Sequence, residues 1–428
     1  MEEKKHIFAI GLDAFNRDKI LRTYSSANYD LHSLFEKDEI LRTESYDLKD
    51  KVEEARAQLR GFDGLLDGIV AFWDFPATSL MAMLTDEFDL PGPTLYSTLK
   101  CEHKYWSRVE QKKVVPDHVP AFSCVDPFDD QAREKLDLGY PFWLKPVKAM
   151  GSELGFHVEN DEDLFHALEA IRKGIGKYAR SFNYMLCQID LPDDVEGVGG
   201  GHCIAEEIIG GDQFTVSGYV HQGEVYCYGL VDSYSYPGTT SFQHYEYPSD
   251  APEDLREEMF DISKRIIKHF EFDQSPFNIE FFHDKDEDKL SVLEINPRIA
   301  HSHGDIYEKV DGVPNHEVMV DLALGRKPVF PEAKGKYRKA GKFFLREWEP
   351  GEVLRVPGDR EIARLKREIP DIIVSLKVEP GEMLEDQSRH DNYSYPVAAM
   401  HLGADSHEQL IERFEKCREI LKFEVETP

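Results

Sequence analysis

Short hydrophobic runs alternate with amphipathic stretches along the first hundred residues of the chain. HIFAIG (6–11) and DGIVAFWD (67–74) are apolar runs typical of buried strands, whereas KVEEARAQLRGF (51–62) and SLMAMLTDEFDLPG (79–92) follow helical spacing. Strands that alternate with helices favour a parallel sheet covered by those helices. The pattern therefore predicts a small parallel α/β domain over residues 1–95.

The hydrophobic pattern changes in the middle of the chain and again near its end. A basic stretch poor in apolar residues, FPEAKGKYRKAGK (330–342), is typical of a connector and separates the two parts. We expect a central α/β domain over residues 96–335 and a small α+β domain over residues 336–428. The predicted strands are PFWLKPV, CIAEEII and FTVSGYV in the centre, then FFLREW, VLRVPG, IIVSLKV and PVAAMHLGA, and the predicted helices are DEDLFHALEAIRKGIG, DLREEMFDISKRIIKHF and SHEQLIERFEKCREILKF.

The charge of the chain excludes some classes of partner. With 82 acidic and 51 basic residues the formal net charge is −31, which on average repels nucleic acid and anionic membrane surfaces. Apolar runs of the length that spans a bilayer are missing, and the apolar run near the N-terminus is too short for a signal peptide. We therefore expect a cytoplasmic protein. The six cysteines lack the CxxC spacing of zinc or redox sites, and we assign them no chemistry.

Residues 278–296 predict a β-hairpin with chemistry on one face. Two apolar strands flank the polar turn DKDED, and a turn centred on Glu287 would place Glu280 opposite Glu294. Carboxylates facing each other in a hairpin are destabilising unless they share a proton or bind a cation. Carboxylate and amide oxygens suit Mg²⁺, and Asn296 adds a neutral oxygen. The alternative is a solvated hairpin with no chemistry.

Five motifs in order resemble those of the ATP-grasp superfamily of carboxylate–amine ligases, in particular its L-amino acid ligase and biotin carboxylase-like branch. They extend across roughly residues 95–330, and the flanking regions also look like the N-terminal α/β domain and the C-terminal cap of that superfamily. The motifs are CEHKYWSR (101–108), GYPFWLKPVKAMGSELG (139–155), IAEEIIGGDQFTV (204–216), FNIEF (277–281) and VLEINPR (292–298).

The resemblance implies a nucleotide site for ATP. Lys104 and Lys145 would bind phosphates, and Glu206 would accept a hydrogen bond from the adenine amino group. Gln213 stands where the family often has a glutamate on the ribose, so charge assistance is lost there. Backbone atoms would complete the site: those of Gly151, Ser152 and Gly155 at the phosphates, and those of Glu207 and Ile209 at adenine.

The resemblance also implies a metal site and an acceptor site. Glu280, Glu294 and Asn296 would bind Mg²⁺ (or Mn²⁺) against the phosphates. Arg298 would stabilise charge on a tetrahedral intermediate. Near the acceptor site, His301 or His303 could deprotonate the amine or bind a substrate carboxylate, and Arg346 could bind substrate.

The implied reaction is ATP-dependent ligation of two small molecules. A carboxylate would be activated as an acyl phosphate with release of ADP, and an amine would then displace phosphate to form a C–N bond, as in an amino acid or peptide ligase. One alternative is a biotin-carboxylase-like enzyme, which would need a carrier on a separate chain. Another is a catalytically silent ATP-binding regulatory protein. The resemblance is also consistent with a homodimer.

Overall fold

The computed structural model describes residues 4–149, 153–386 and 394–427. Its N-terminal part is the small parallel α/β unit that the sequence predicts. Three parallel strands lie in the order β2-β1-β3, and α3 buries Leu48, Val52, Ala55 and Leu59 on one face. The elements are β1 (Lys5–Leu12), α1 (Ala14–Ile20), β2 (Tyr29–Glu36), α2 (Lys37–Leu41), α3 (Leu48–Arg60), β3 (Gly68–Ala71) and α4 (Ala77–Glu87).

A four-stranded antiparallel sheet follows, in the order β4-β7-β5-β6. Leu164, Ala167, Leu168 and Ile171 on one face of α7 form a core with the apolar residues of these strands. The elements are α5 (Leu95–Glu102), α6 (Lys104–Val114), β4 (Phe122–Val125), β5 (Phe142–Pro146), β6 (Phe156–Val158), α7 (Asp161–Gly174), α8 (Gly176–Leu186) and β7 (Cys203–Glu207).

An eight-stranded sheet forms the centre of the molecule, in the order β12-β11-β8-β9-β10-β13-β16-β15. Helix α9 packs its apolar side on strands β8, β9 and β11. The elements from the middle of the chain are β8 (Asp212–His221), β9 (Glu224–Ser235), β10 (Phe242–Tyr247), α9 (Glu253–His269), β11 (Ser275–Asp284), β12 (Lys289–Asn296), α10 (Gly304–Asp311) and α11 (His316–Ala323).

The C-terminal segment extends this same sheet. Strand β13 pairs with β10 on one side and with β16 on the other, while a separate apolar core lies beneath helix α13. The predicted strands are present, and helix α12 is an addition to them. The elements are β13 (Lys339–Glu347), β14 (Glu352–Arg355), α12 (Asp359–Glu368), β15 (Ile373–Leu376), β16 (Tyr395–Ala404), α13 (His407–Ile420) and β17 (Glu424–Glu426).

A short link joins the four-stranded sheet to the central sheet between β7 and β8. Gly211 has a φ of +106°, and a Cβ there would lie 2.1 Å from the carbonyl oxygen of His283. Only glycine fits this backbone approach without strain. The link therefore turns sharply beside the hairpin formed by β11 and β12. None of the helices in the described ranges is both long enough and apolar enough to cross a membrane.

Candidate nucleotide and metal site

The predicted hairpin forms with the predicted register. Strands β11 and β12 are antiparallel, Glu280 lies opposite Glu294, and Asn278 lies opposite Asn296. The register shifts by one residue just after Glu280. The Asn296 amide nitrogen lies 3.1 Å from the side-chain oxygen of Asn278, 3.5 Å from Glu280 Oε1 and 3.4 Å from Glu294 Oε1. The three residues predicted to bind metal therefore converge on one point.

The electrostatics of the carboxylate pair favour a bound cation. Burial, followed by the negative charge of Glu294, raises the pKa of Glu280 to about 8, against the opposing effect of Arg298. The Gln213 amide also donates to Glu280 Oε2 at 2.9 Å. Without a cation, Glu280 therefore keeps its proton near neutral pH. Two carboxylates are hard ligands of the kind that Mg²⁺ prefers, and rotation of the Asn296 amide, whose oxygen accepts from Arg298 at 3.3 Å, would add a third oxygen, so the residues present fit this ion.

Arg298 is oriented by an acidic residue of the N-terminal unit. Its Nε and one terminal nitrogen donate to the two carboxylate oxygens of Asp74 at 2.7 and 2.8 Å. Burial raises the pKa of Asp74, but Arg298 outweighs it and the net pKa is lowered. Such a bidentate ion pair fixes the plane of the guanidinium. The guanidinium of Arg298, just after β12, is therefore oriented by Asp74, just after β3.

A group of lysines lies beside the hairpin. Burial lowers the pKa of Lys104 to about 8, with the charge of Glu294 opposing the shift and the charges of Lys148 and Lys145 adding to it. The Lys104 ammonium donates to the Ala149 carbonyl at 3.3 Å. Lys148 is 5% exposed and lies 3.5 Å from a carboxylate oxygen of Glu102. Positive charge gathered this closely is suited to a polyphosphate.

Glu206 lies between two cations on neighbouring elements. Lys145 on β5 lies 2.6 Å from its Oε2, and Arg108 on α6 donates to its Oε1 at 2.6 Å. Burial raises the pKa of Glu206, but Arg108 and Lys145 outweigh it and hold the pKa at about 2. Arg108 also donates to the carbonyls of Val292 and Leu293 at 2.8 and 2.7 Å. Arg108 therefore connects the four-stranded sheet to the hairpin formed by β11 and β12.

Several of these side chains line one small cavity of about 20 Å³ between the two sheets. The cavity brings together Lys104, Lys145, Glu206 and Glu294, which lie far apart in the sequence. Its full lining is Cys101, Lys104, Ser107, Arg108, Gln111, Lys145, Glu206, Leu293, Glu294 and Ile295. Cations at the walls and Glu294 of the hairpin give this cavity the charges that suit a phosphate-bearing ligand and a metal ion, and the cavity must widen to admit such a ligand.

The two predicted histidines have different surroundings. His301 packs against Trp73 with ring centroids 4.3 Å apart, beside the Asp74 strand exit. His303 is buried next to Tyr245, with ring centroids 4.9 Å apart. Burial, then the charges of Lys342 and Arg298, lower the pKa of His303 to about 3. The His303 ring is therefore neutral at physiological pH.

The remaining predicted residues do not line the cavity, and two of them lie outside the described ranges. Arg346 on β13 donates to the Phe242 carbonyl at 3.0 Å and to Ser394 Oγ at 2.8 Å. Glu207 ends β7, with its carboxylate accepting from the Ala121 backbone at 3.1 Å. Ile209 lies in the link to β8, and Gly155 precedes β6. Gly151 and Ser152 lie outside the residues that the structure describes.

Three residues of the site were not expected from the sequence: Asp74, Arg108 and Lys148. Asp74 follows the carboxyl end of a parallel strand, a position where ligand-binding residues often gather, so its place could have been noticed. Arg108 gives no local signal because its partner Glu206 is 98 residues away in the sequence. Lys148 sits in the expected phosphate loop, but only the fold shows that its ammonium is buried.

The fold described above is the ATP-grasp fold. Residues 138–304 match the family model of the ATP-grasp domain, and this segment contains Lys145, Glu206, Glu280 and Glu294. The chain therefore carries an ATP-grasp domain, as the sequence motifs predict. Among curated proteins, no sequence matches this one significantly.

Several solved structures share the whole architecture. An L-amino acid ligase from Bacillus licheniformis superposes with a TM-score of 0.77 at 17% identity, covering 100% of both chains. A phosphoribosylglycinamide synthetase from Anaerococcus prevotii has a TM-score of 0.65 at 14% identity, covering 99% of this chain and 100% of the other. A biotin carboxylase from Campylobacter jejuni has a TM-score of 0.64 at 16% identity, covering 99% and 93%. At these identities the similarity shows the fold.

Proposed function

We propose that this chain is an ATP- and Mg²⁺-dependent ligase that joins a small-molecule carboxylate to an amine. The observation that carries the proposal is the pair Glu280 and Glu294, held opposite each other next to Lys104. Two partly buried carboxylates in register are unfavourable in a hairpin with a merely structural role. The carboxylates would form one half of a site for a metal–polyphosphate complex, and the neighbouring lysines would form the other half.

Glu280, Glu294 and Asn296 are the residues that would hold Mg²⁺. A bound ion would supply charge neutralisation on the phosphate oxygens. Lys104 and Lys145 add positive charge in the cavity, and the charge of Lys148 acts on Lys104. Phosphoryl transfer depends mainly on positioning and on such charge stabilisation. The protein's contribution to this step is therefore a rigid, preorganised set of charges.

The acceptor end of the site would lie where Arg298 leaves the hairpin. Its guanidinium, held by Asp74, can stabilise the oxyanion that develops when an amine attacks an acyl phosphate. His301 lies beside it against Trp73 and could take the proton of the attacking amine. The buried and neutral His303 is better suited to shaping this end of the site.

The full-length similarity to an L-amino acid ligase supports amino acids as the carboxylate and the amine. The biotin carboxylase in the comparison keeps a carboxylation reaction as the second candidate. The two reactions have different requirements. The ligase needs both a carboxylate and an amine for ADP release, whereas the carboxylase needs bicarbonate and biotin. A silent ATP-binding protein would release no ADP with either substrate mixture.

A phosphate-release screen with pooled amino acids and other small carboxylates and amines tests the proposal, with mass spectrometry of the product. We expect ADP, phosphate and a new amide, and we expect Glu294→Ala to reduce turnover by at least about 100-fold because a metal ligand is lost. Glu287→Ala is the matched control, because Glu287 is an exposed carboxylate in the turn of the same hairpin. Full turnover by Glu294→Ala would contradict the metal assignment.

A further inference from the structure

A second group of metal-ligating side chains lies on strand β10 and at the start of helix α13. His244 Nε2, Glu246 Oε2 and His407 Nδ1 all lie within 4.8 Å of one another. His407 Nδ1 is 2.7 Å from Glu246 Oε2, and His244 Nε2 is 3.6 Å from the same oxygen. None of these three residues belongs to the lysine-lined cavity or to the Glu280–Glu294 hairpin.

The hydrogen bonds around His244 leave a ligand atom available. Its Nδ1 lies 3.2 Å from the side-chain oxygen of Gln243, so Nδ1 is the protonated nitrogen. Its Nε2 then carries the lone pair, and this buried atom has no hydrogen-bond partner among the described residues. The ring is 2% exposed and packs between Tyr234 and Phe343, with centroids 4.4 and 4.5 Å away. The lone pair is thus fixed in its direction, toward Glu246.

Glu246 also offers a ligand atom that is held in place. Its side chain is fully buried, and Lys339 binds Oε1 at 2.7 Å, which leaves Oε2 directed at the two histidines. Lys339 also pairs with Asp250 at 2.7 Å, so two carboxylates share one ammonium. The local charge therefore remains negative, which favours a divalent cation.

We propose that His244, Glu246 and His407 bind a zinc ion, with water as the fourth ligand. Two imidazoles and one carboxylate form a donor set of the zinc type, in contrast to the oxygen-only set at the hairpin. Tetrahedral ligands around zinc lie about 3.4 Å apart, so the observed separations need side-chain shifts of only about 1 Å. The ion takes the place of the hydrogen bond between His407 Nδ1 and Glu246 Oε2, and the imidazole of His407 then carries its proton on Nε2. It ties the first turn of α13 to the central sheet.

Zinc content of the full-length protein tests this site directly. Protein stripped with a chelator is given Zn²⁺ in excess Mg²⁺, desalted, and analysed for bound zinc. We expect one zinc per chain in the wild-type protein. For His407→Ala and for His244→Phe we expect a zinc affinity that is weaker by about 10- to 100-fold. The second substitution keeps a ring between Tyr234 and Phe343, and Ser406 still caps α13 in the first, so both variants should fold.

Two controls separate this site from other zinc ligands in the chain. Glu294→Ala must keep its zinc, because the hairpin is a different site, and His166→Ala removes an exposed histidine outside the cluster. Co²⁺ in place of zinc should give the wild-type protein the visible absorption of a tetrahedral site with nitrogen and oxygen ligands. The His407→Ala and His244→Phe proteins should lack this absorption. A wild-type zinc ratio well below one, or unchanged zinc affinity in His407→Ala and His244→Phe, would overturn the proposal.

Discussion

Glu280 is a carboxyl group whose burial changes how the protein responds to pH. Its pKa of about 8 in the folded protein lies well above the ordinary value of 4.5. Between these values the folded chain keeps a proton that the unfolded chain has released, so the free energy of unfolding falls as pH rises. The slope for one proton is at most about 1.4 kcal/mol per pH unit.

We therefore expect metal-free wild type to lose stability relative to Glu280→Gln as pH rises from about 5 to about 8. The glutamine variant keeps the shape of the side chain and cannot titrate. Urea unfolding at several pH values in the presence of a chelator measures the difference. A difference that stays constant or grows in favour of wild type over this range would show that Glu280 is ionised in the folded protein.

At the scale of elements, the hairpin was the part of the fold that the sequence predicted best. Its turn is short and polar, so the register follows from counting residues, and Glu280 faces Glu294 as expected. The relation between distant strands was harder to predict. Strand β13 was expected to begin a separate α+β domain, yet it pairs with β10 and continues the central sheet. Nothing in a local hydrophobic pattern records which edge of a sheet a later strand will join.

In the candidate site, too, some residues could be predicted from the sequence and others could not. Residues within a motif, such as Lys145 and Glu294, could be assigned a place because each motif is short and local. The partners Arg108 and Asp74 could not, because each contacts its carboxylate or guanidinium only after separate elements pack. The buried contacts of Lys148 were also unpredictable, since a lysine in a loop is usually exposed.

The contact between Asp74 and Arg298 joins the exit of β3 to the exit of β12, and it gives a test of positioning. We expect Asp74→Asn to lower kcat by about 100-fold, because a guanidinium that is no longer held from both sides moves away from the reacting atoms. The KM for ATP should change little, since Lys104 and Lys145 remain. Steady-state kinetics with the substrates found in the phosphate-release screen measure both constants.

Asp63→Asn is a suitable control, because Asp63 is a carboxylate of the same N-terminal unit, in the loop that precedes β3. An unchanged kcat in Asp74→Asn would show that Arg298 needs no support from the N-terminal unit. A loss confined to KM would place Asp74 in ground-state binding instead.

For the whole molecule, a buried ionic network links the first helix to helix α10 and, through it, to strand β16. Lys19 of α1 is 1% exposed and lies 2.6 Å from both Asp305 and Glu308 of α10. His401 of β16 lies 3.4 Å from the other oxygen of Asp305. Elements from the beginning, middle and end of the chain therefore meet at one carboxylate.

Removing Lys19 should destabilise the protein strongly. We expect Lys19→Met to lower the free energy of unfolding by about 3–5 kcal/mol, because it leaves the charge of Asp305 buried and less compensated. Arg22→Ala is the matched control, because Arg22 pairs with the same Glu308 but is 53% exposed. That change should cost at most about 1 kcal/mol. Equal losses in the two variants, measured by urea unfolding, would contradict a special role for the buried pair.

The trio of Lys145, Glu206 and Arg108 constrains how this sequence can diverge. Glu206 pairs with both cations in the interior, and Arg108 additionally holds two backbone carbonyls of the hairpin formed by β11 and β12. A descendant that replaced Glu206 alone would bury two cations without their counter-charge, whereas one that replaced Lys145 or Arg108 alone would keep a matched ion pair. Homologues that lose Glu206 should therefore also replace Lys145 and Arg108, while the exposed residues around these positions vary freely.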